Sequence, residues 1–403
     1  MPNTVQVFQS TDTGAPTLSG TVGALISVLD GCLVNGYGTV TLTSLVVASN
    51  VATGTVSGGH GFAMVGNAAP QVGQVITIAG ATPSGLNGDW RISSVTSSTV
   101  FTFATTGISD QTATGTITAK RTAAGWTKSF TGTNKGAYKS SDVTATGMIL
   151  RVDDTGGGTG GLREARVRAY EAMTDIDTGT GPIPTVAQAA SGLFICKSST
   201  LDSTARPWTI IADGKRVFLL LNYFTVSWPF AEVSFFGDLT DVRKSGDAYH
   251  YTLAAKSNEG TYGNIGFYGF LKTFAGVASI NTAAGCMFTA RSYTQVGGAV
   301  SMNYMGDPAI GGSTYGASGG MTYPCPTDNG IRMSPMTVIE PSTLHIDRGT
   351  IPGIYHVLHG LPLANKDTVD TITGLSGKTI MLMSTASGNS TEGRSAYDIT
   401  GPW

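Results

Sequence analysis

The sequence is poor in charged residues and contains no long apolar run. Charged side chains make up 12% of the 403 residues, where about 25% is usual. With 24 basic and 26 acidic residues, the formal net charge is −2. No dense basic patch is visible, which argues against a nucleic-acid partner, because non-specific affinity for nucleic acid comes from neutralised phosphates. No stretch of about 20 apolar residues is present, so we expect no membrane span.

The first residues and the cysteines indicate a protein that is assembled inside the cell. The opening segment, MPNTVQVFQSTDTG, lacks the positive and apolar regions of a signal peptide, so we expect no Sec export. The four cysteines, Cys32, Cys196, Cys286 and Cys325, lie far apart in the sequence. This spacing excludes CxxC pairs and zinc-ribbon motifs. We therefore expect reduced, structural thiols, and we predict no cofactor.

Glycine and apolar residues are abundant instead. Glycine contributes 55 residues, well above the average of about 7% and without the collagen period. Hydrophobic residues are 41% of the chain, enough to bury a core, and the length predicts two or three domains. A surface so poor in charge suits β-rich proteins that pack against many copies of a neighbour. We predict a mainly β fold with β-sandwich or barrel-type domains, one short N-terminal helix and an inserted small β-barrel module.

The N-terminal region contains the clearest helical pattern. Helical spacing relates five apolar residues, Val22, Leu25, Ile26, Leu29 and Leu33. Ser19 is placed to cap a helix over residues 20–34, and Asn35-Gly36 is placed to end it. We expect this helix to pack on a sheet.

Residues 45–120 predict a small β module. Short β-type runs, separated by turn formers, extend over Thr39–Val47, Val51–Val56, Val72–Ile78, Trp90–Val95, Val100–Phe103 and Thr114–Thr118. Strands this short and closely spaced are typical of a small barrel or sandwich. The segments before and after this module have the pattern of one continuous domain. We therefore predict that the module is inserted in a loop of a main β domain formed by residues 1–44 and 121–255.

Longer strands are predicted in the main domain. They cover Met148–Asp153, Glu164–Ala172, Pro207–Ala212, Val217–Tyr223 and Glu232–Phe236. Asp213-Gly214 is a strong two-residue hairpin signal, and Thr185–Ala190 is predicted to form one helical turn. The densest aromatic segment is predicted to form the main core or a protomer contact; it contains Trp208, Phe218, Tyr223, Phe224, Trp228, Phe230, Phe235 and Phe236.

Residues 256–330 are rich in Gly, Ser and Tyr and predict a long loop region. A loop region of this length in a compact fold is either a binding surface or is ordered by a partner. Its tyrosines are therefore candidate contacts for a ligand or partner: Tyr262, Tyr268, Tyr293, Tyr304 and Tyr315. A C-terminal β domain is predicted over 331–403, with strands at Ile331–Ile339, Ile351–Leu358 and Thr379–Ser384.

Two glycine-rich patterns match enzyme motifs in form. Gly156-x-Gly158-x-x-Gly161 fits a dinucleotide-binding loop, but the residues after it alternate as a strand and do not open a helix. Gly316-Ala317-Ser318-Gly319-Gly320 fits a nucleophile elbow, but its flanks supply neither the strand nor the helix that the elbow needs. We predict a strand after the first pattern and a flexible loop for the second.

Histidines and paired carboxylates leave further alternatives open. His345-Ile346-Asp347 and His356-x-x-His359, with Glu340 nearby, could bind a metal or could be structural histidines. Asp153-Asp154 and the pair Asp238 and Asp241 are carboxylates of the kind that a glycosidase places across a cleft. We predict no catalytic, cofactor-binding or metal-binding residues from these patterns.

Several segments resemble a family of virion structural proteins of tailed bacteriophages. They are APTLSGTVGALISVLDGCLVNGYG, AGWTKSFTGTNKGAYKSSD, MILRVDDTG, REARVRAYEAMTDIDTGTGPIPT, RPWTIIADGKRVFLLL, FGDL and GDAYHY. The insert, with segments such as GQVITIAGATPSGLNGDWRISSVTSSTVFTFATTG, resembles small β modules that recur in phage structural proteins. The resemblance covers most of the chain and is weakest over residues 256–330.

The resemblance implies a structural subunit of a phage particle, in the tail tip, baseplate or fibre apparatus. Such a subunit is assembled in the host cytoplasm, resides in the virion and has other virion proteins as partners. We expect a homo-oligomer, a trimer or a higher ring. The alternatives are a capsid decoration protein, a protein that binds a host receptor or surface glycan, and a polysaccharide depolymerase. The resemblance implies no catalytic residues, so we predict that the protein is not an enzyme.

Overall fold

The fold is mainly β, as predicted. A computed structural model describes residues 4–156, 163–223, 231–256, 287–305, 324–341, 345–358, 363–387 and 391–403. In these ranges the chain forms four large antiparallel sheets and a two-stranded one, with one short α-helix near the N-terminus. The mainly β class and the short helix are therefore confirmed.

The helix ends as predicted. Strand β1 (Gln6–Gln9) precedes helix α1 (Ala24–Leu29), which a π-helical segment, Asp30–Asn35, extends. The chain leaves the helix at Gly36, whose φ of 69° is a left-handed conformation that favours glycine. Four of the five predicted apolar positions are buried against the sheets, while Val22 lies before the helix and is exposed.

The predicted start of the helix is wrong, because a distant residue caps it. The Ser19 hydroxyl lies 2.7 Å from that of Thr21 and does not cap the helix. Instead, Asp154 Oδ2 accepts a hydrogen bond of 2.9 Å from the N–H of Leu25. The first helical residue is therefore Ala24, and the end of another strand determines where the helix begins.

Residues 37–121, which we call the insert from here on, form an eight-stranded sheet with a core of its own. The insert begins before the predicted residue 45, because β2 pairs with β11. In chain order the segment contains β2 (Tyr37–Thr41), β3 (Ser44–Ala48), β4 (Val51–Thr55), β5 (Met64–Val65), β6 (Val72–Gly73), β7 (Val75–Ala79), β8 (Gly88–Ser97), β9 (Val100–Ala104), β10 (Gln111–Thr112) and β11 (Thr118–Arg121). The sheet order is β10-β3-β4-β9-β8-β7-β11-β2, with β5 and β6 paired separately. Its first and last strands, β2 and β11, are neighbours, so the chain enters and leaves the insert side by side.

Three predicted strands of the insert are divided or displaced. The predicted strand Val72–Ile78 is divided into β6, which pairs with β5, and β7, which pairs with β8. The single predicted strand Thr39–Val47 is divided, because Leu42 donates to Ile117 of one neighbour and Thr43 to Thr55 of another. The predicted strand Thr114–Thr118 is replaced by the flanking strands β10 and β11. Thr114 itself forms only an isolated bridge with Thr82.

The chain then forms a six-stranded sheet that packs on the helix. It contains β12 (Trp126–Gly132), β13 (Lys135–Ser140), β14 (Ile149–Asp153), β15 (Arg163–Met173), β16 (Gly179–Ile183) and β17 (Leu193–Ser198). The predicted hairpin of β14 and β15 is confirmed by their antiparallel pairing. The Thr185–Ala190 segment forms a turn in which the Ala189 N–H donates to the Thr185 carbonyl at 3.0 Å.

A seven-stranded sheet forms the centre of the molecule. Besides β1 it contains β18 (Trp208–Ala212), β19 (Arg216–Leu221), β20 (Glu232–Asp238), β21 (Tyr251–Ala254), β22 (Met287–Thr289) and β23 (Val300–Ser301). The hairpin of β18 and β19 is confirmed. Its tight turn lies one residue later than predicted, at Gly214-Lys215, because the Asp213 N–H pairs with the Arg216 carbonyl at 3.0 Å.

The predicted loop region 256–330 is wrong in its middle part. Strands β22 and β23 extend the central sheet there, because Phe288 and Thr289 pair with β21 on one side and β23 on the other. Of the predicted aromatic core, the residues that are buried are Trp208, Phe218, Tyr223, Phe235 and Phe236. Phe224, Trp228 and Phe230 lie outside the described residues.

The last sheet packs against the central one. It contains β24 (Asn303–Met305), β25 (Met333–Glu340), β26 (Ile346–Val357), β27 (Thr368–Val369), β28 (Ile380–Ser387) and β29 (Thr391–Asp398). Residues of both sheets form one hydrophobic cluster, in which Phe218 meets Tyr397 edge to face with ring centroids 5.2 Å apart. Burial of large rings of this kind stabilises the contact between the sheets.

Candidate interaction surface

One part of the outer side of the insert's sheet, over strands β10, β3, β4, β9 and β8, is built from small uncharged side chains. Directly paired residues lie on one face of a sheet, and alternate residues of a strand share that face. The surface, which we call the neutral face, contains Ser44, Val46, Ala48, Val51, Thr53, Thr55, Ser94, Val100, Thr102, Ala104 and Thr112. The other side of the same strands faces the core of the insert.

The neutral face is uncharged and partly apolar. Val46 and Val51 are 36% and 39% exposed on adjacent strands. The hydroxyls of Ser94 and Thr102 lie 2.8 Å apart and form a hydrogen bond within the face. The centres of protein interfaces are depleted in charged residues, because charged groups lose favourable hydration when a partner covers them. A partner could cover the neutral face without removing any charge from water.

Two arginines of the insert hold it in a fixed position against the edge of the central sheet. Strand β1 is an edge strand of the central sheet. The carbonyls of Val5 and Val7 accept hydrogen bonds of 2.8 Å from Nη2 of Arg91 and Nη2 of Arg121. The Nη1 atoms of the same arginines donate to backbone carbonyls of the insert at 2.9 and 2.8 Å. Each planar guanidinium thus bridges the two parts with fixed geometry.

A second contact joins the insert to the C-terminal sheet. The side chain of Asn67 donates to the Asn365 carbonyl at 2.9 Å. The Thr368 hydroxyl donates to the Ala68 carbonyl at the same distance. Held at two separate places, the insert presents the neutral face in a fixed orientation.

A buried arginine joins the C-terminal sheet to the central sheet. Arg348 is 2% exposed and forms ion pairs with Asp247 at 2.7 Å and Glu340 at 2.8 Å. The same Glu340 oxygen accepts the backbone N–H of Tyr293 at 2.8 Å. Both carboxylates are neutralised by the same buried cation, so the loss of Arg348 would leave them without a partner away from water. The network therefore holds the two sheets together.

Two buried carboxylates share one lysine between β15 and β20. Lys256 forms an ion pair with Glu164, and both side chains are almost inaccessible. Glu232 lies in the same cluster, where the Cys196 N–H approaches its Oε1 at 3.5 Å. The pKa of Glu232 is raised to about 8, mainly by burial; the attraction of Lys256 lowers it, and the charge of Glu164 adds to the increase. Glu232 is therefore mainly protonated at neutral pH.

The predicted tyrosine contacts are only partly covered by the structure. Tyr293 is 38% exposed and is held at its backbone, where its carbonyl accepts a hydrogen bond of 2.9 Å from Lys244. Tyr304 lies on β24. Tyr262, Tyr268 and Tyr315 lie outside the described residues. A role of these tyrosines in ligand binding stays a prediction.

The histidine motif is dispersed. His356 is buried in β26, and burial lowers its pKa to about 4. His345 is exposed, and His359 lies outside the described residues. Glu340 is occupied by Arg348. Within the described ranges, no three His, Cys, Asp or Glu side chains come together in a way that could hold a metal ion.

The paired carboxylates have structural partners. Asp154 caps α1 and forms a buried ion pair with Lys197. Asp238 accepts hydrogen bonds of 2.8 and 2.6 Å from the N–H and the hydroxyl of Thr146. Asp153 lies 3.0 Å from Arg151. These contacts fasten segments of the fold to one another.

The remaining motifs lie partly outside the described residues. The strand predicted after Gly161 is confirmed by β15, while the pattern 316–320 is not described. Cys32, Cys196 and Cys325 are buried free thiols, and Cys286 is not described. Burial raises the pKa of the Cys32 and Cys196 thiols, so they are poor nucleophiles.

The neutral face was not identified from the sequence, although a signal for it exists. Alternating Val, Ala, Thr and Ser residues in 44–55 and 100–104 predict half-buried strands. The stretch 44–55 contains no charged residue, which indicates a neutral exposed side. Which strands lie next to one another required the sheet order.

Comparisons with known proteins find no matching family model and no matching curated protein. Among the helices of the described chain, none is both long enough and apolar enough to cross a membrane.

Proposed function

We propose that the protein is a structural subunit of a tailed-bacteriophage particle, in the tail tip, baseplate or fibre apparatus. The neutral face supports this proposal most directly, because an uncharged Val, Ala, Thr and Ser surface on a rigidly mounted sheet suits a permanent neighbour. The partner at this face is a second copy of the chain, which contacts it through a different surface, so that repeated head-to-tail contacts form a closed ring. The resemblance of the sequence to phage virion proteins provides the particle context.

The rigid mounting matters for this role. A subunit that must repeat one contact many times gains from surfaces that are already in the bound arrangement, because less conformational freedom is lost on assembly. Arg91 and Arg121 give the insert such a fixed position on β1. The insert then acts as a platform for assembly.

The proposal is tested first on purified particles. Quantitative mass spectrometry should find the chain in stoichiometric amount, and antibody labelling should place it on the tail and not on the head. Absence from the particle would refute the proposal. Labelling confined to the capsid would support the decoration protein instead.

A charge placed on the neutral face tests the contact itself. Thr53→Lys should abolish both self-association in sedimentation and incorporation into particles, because a lysine would have to be buried without a partner. Ser129→Lys is the matched control, since Ser129 is exposed on β12 in a different sheet. Circular dichroism should show the same fold for both variants. If Thr53→Lys assembles as well as Ser129→Lys, the neutral face is not the contact.

A further inference from the structure

A cleft of 620 Å³ lies where the loop after β20 meets strand β26. Sites for small molecules usually enclose about 300–1,000 Å³. The loop contributes Asp241 and His250 to the walls of the cleft, and β26 contributes Tyr355. Trp403 also lines the cleft, together with the charged side chains of Lys215, Arg216, Lys378 and Asp398. The cleft therefore combines two aromatic side chains with a carboxylate and an imidazole.

The walls of the cleft are held in place by hydrogen bonds. Thr240 and Thr350 exchange two backbone hydrogen bonds of 2.9 and 2.8 Å, and the Thr350 hydroxyl donates to Asp241 Oδ2 at 3.1 Å. The indole N–H of Trp403 donates to the Asp398 carbonyl at 2.9 Å. The polar and aromatic groups are thus fixed before any ligand binds, which lowers the entropic cost of binding.

The charges around the cleft are largely neutralised within the protein. Each of its cations has an acidic partner: Arg216 lies 3.1 Å from Asp213, Lys378 lies 3.0 Å from Asp398 and Lys215 lies 3.6 Å from Asp142. Burial lowers the pKa of His250, so its imidazole is neutral at pH 7. Its buried Nδ1 has no hydrogen-bond partner within the described part of the chain. Because this atom is inaccessible to solvent, a hydrogen bond between the imidazole and a ligand in the cleft must use the other ring nitrogen, Nε2.

We propose that this cleft binds a neutral carbohydrate. The Asp241 carboxylate accepts hydrogen bonds from sugar hydroxyls, and the imidazole of His250, which also lines the cleft, forms a hydrogen bond with a further hydroxyl through Nε2. The rings of Tyr355 and Trp403 provide apolar surface for the C–H face of a sugar. Phosphate and other anions are disfavoured, because Asp241 repels them and the nearby cations already have partners. The proposal does not depend on a role of the chain in a particle.

The test measures binding by the intact protein. Saturation-transfer NMR and calorimetry are carried out with neutral malto-, cello- and chito-oligosaccharides at millimolar concentration, and with inorganic phosphate. Asp241→Asn removes the charge and keeps the shape, and asparagine tolerates the φ of 47° at this position. His250→Phe keeps a ring and removes both nitrogens. Asp370→Asn, at an exposed site away from the cleft lining, is the matched control.

We expect at least one of the oligosaccharides to bind, and phosphate neither to bind nor to compete. Asp241→Asn and His250→Phe should each weaken binding about tenfold, because the first removes the charge that strengthens a hydrogen bond and the second removes a hydrogen-bonding ring nitrogen. Asp370→Asn should leave binding unchanged. Binding of none of the sugars, competition by phosphate, or full affinity in folded Asp241→Asn and His250→Phe proteins would overturn the proposal. Since the assay uses free protein, its failure is distinguishable from a failure of particle incorporation.

Discussion

Glu232→Gln should make the protein more stable in mildly alkaline solution. In the native chain Glu232 is 2% exposed, and Lys256, the nearby cation, is already paired with Glu164. Burial raises the pKa of Glu232 from its ordinary 4.5 to about 8. The folded protein therefore keeps a proton that the unfolded chain loses above about pH 4.5. A glutamine matches the shape of the protonated acid and has no proton to lose.

The size and sign of the effect follow from linkage. Each unit of pKa difference corresponds to about 1.4 kcal/mol, so the free energy of unfolding of the native chain should fall by about 5 kcal/mol between about pH 4.5 and pH 8 because of this residue. The loss is complete above the folded pKa. Glu232→Gln lacks this slope, so the difference between the two proteins should grow as the pH rises and become constant above about pH 8.

The assay is urea unfolding of the native and Glu232→Gln proteins from about pH 5 to about pH 9. Asp370→Asn serves as the control, because Asp370 is exposed and its replacement should change stability little at any pH. A difference between native and Glu232→Gln proteins that is independent of pH would refute the reasoning. So would a native protein that becomes more stable, relative to Glu232→Gln, as the pH rises.

Three other substitutions test structural joints. Arg121→Met should lower the free energy of unfolding by about 3 kcal/mol or more, because buried carbonyls lose a charged donor. Limited proteolysis should then cleave the chain at the insert, and an unchanged cleavage pattern would show that Arg121 does not hold the insert in place. Asp154→Ala should cost about 3–5 kcal/mol in urea unfolding, because the helix loses its cap and Lys197 is left buried without its carboxylate partner; a loss below about 1 kcal/mol would show that the cap is unimportant. Gly353→Ala should change the near-ultraviolet circular dichroism, because a Cβ would lie 2.2 Å from the Trp403 ring, whereas Gly374→Ala, at a similar φ with open space around it, should not.

Features that depend on neighbours in sequence were predictable. The β18–β19 hairpin follows from Asp213-Gly214 between two apolar runs, because a short turn and its strands are encoded locally. The end of the helix at Gly36 is similarly local. The start of the helix was not predictable, because its cap, Asp154, is separated from Leu25 by 129 residues. No local signal indicates such a cap.

The candidate surfaces show the same division. Alternation along single strands predicts which residues are exposed, but the neutral face exists only because β10, β3, β4, β9 and β8 are neighbours in that order. The cleft is less predictable still, since Asp241, Tyr355 and Trp403 come from separate segments. The candidate tyrosines were selected because their segment is rich in Gly, Ser and Tyr. Such a composition does not indicate where the side chains lie in the folded protein.

The junction between the insert and β1 limits how such proteins can diversify. Because the insert begins and ends on adjacent strands, a recombination event could exchange it as a cassette without separating the flanking chain. A replacement insert without hydrogen-bond donors equivalent to Arg91 and Arg121 would leave the Val5 and Val7 carbonyls unpaired at the edge of the central sheet. A strand of another molecule could then pair with this edge. The rest of the fold should therefore accept only inserts that carry cationic side chains able to bind these carbonyls, whatever their own core or outer surface.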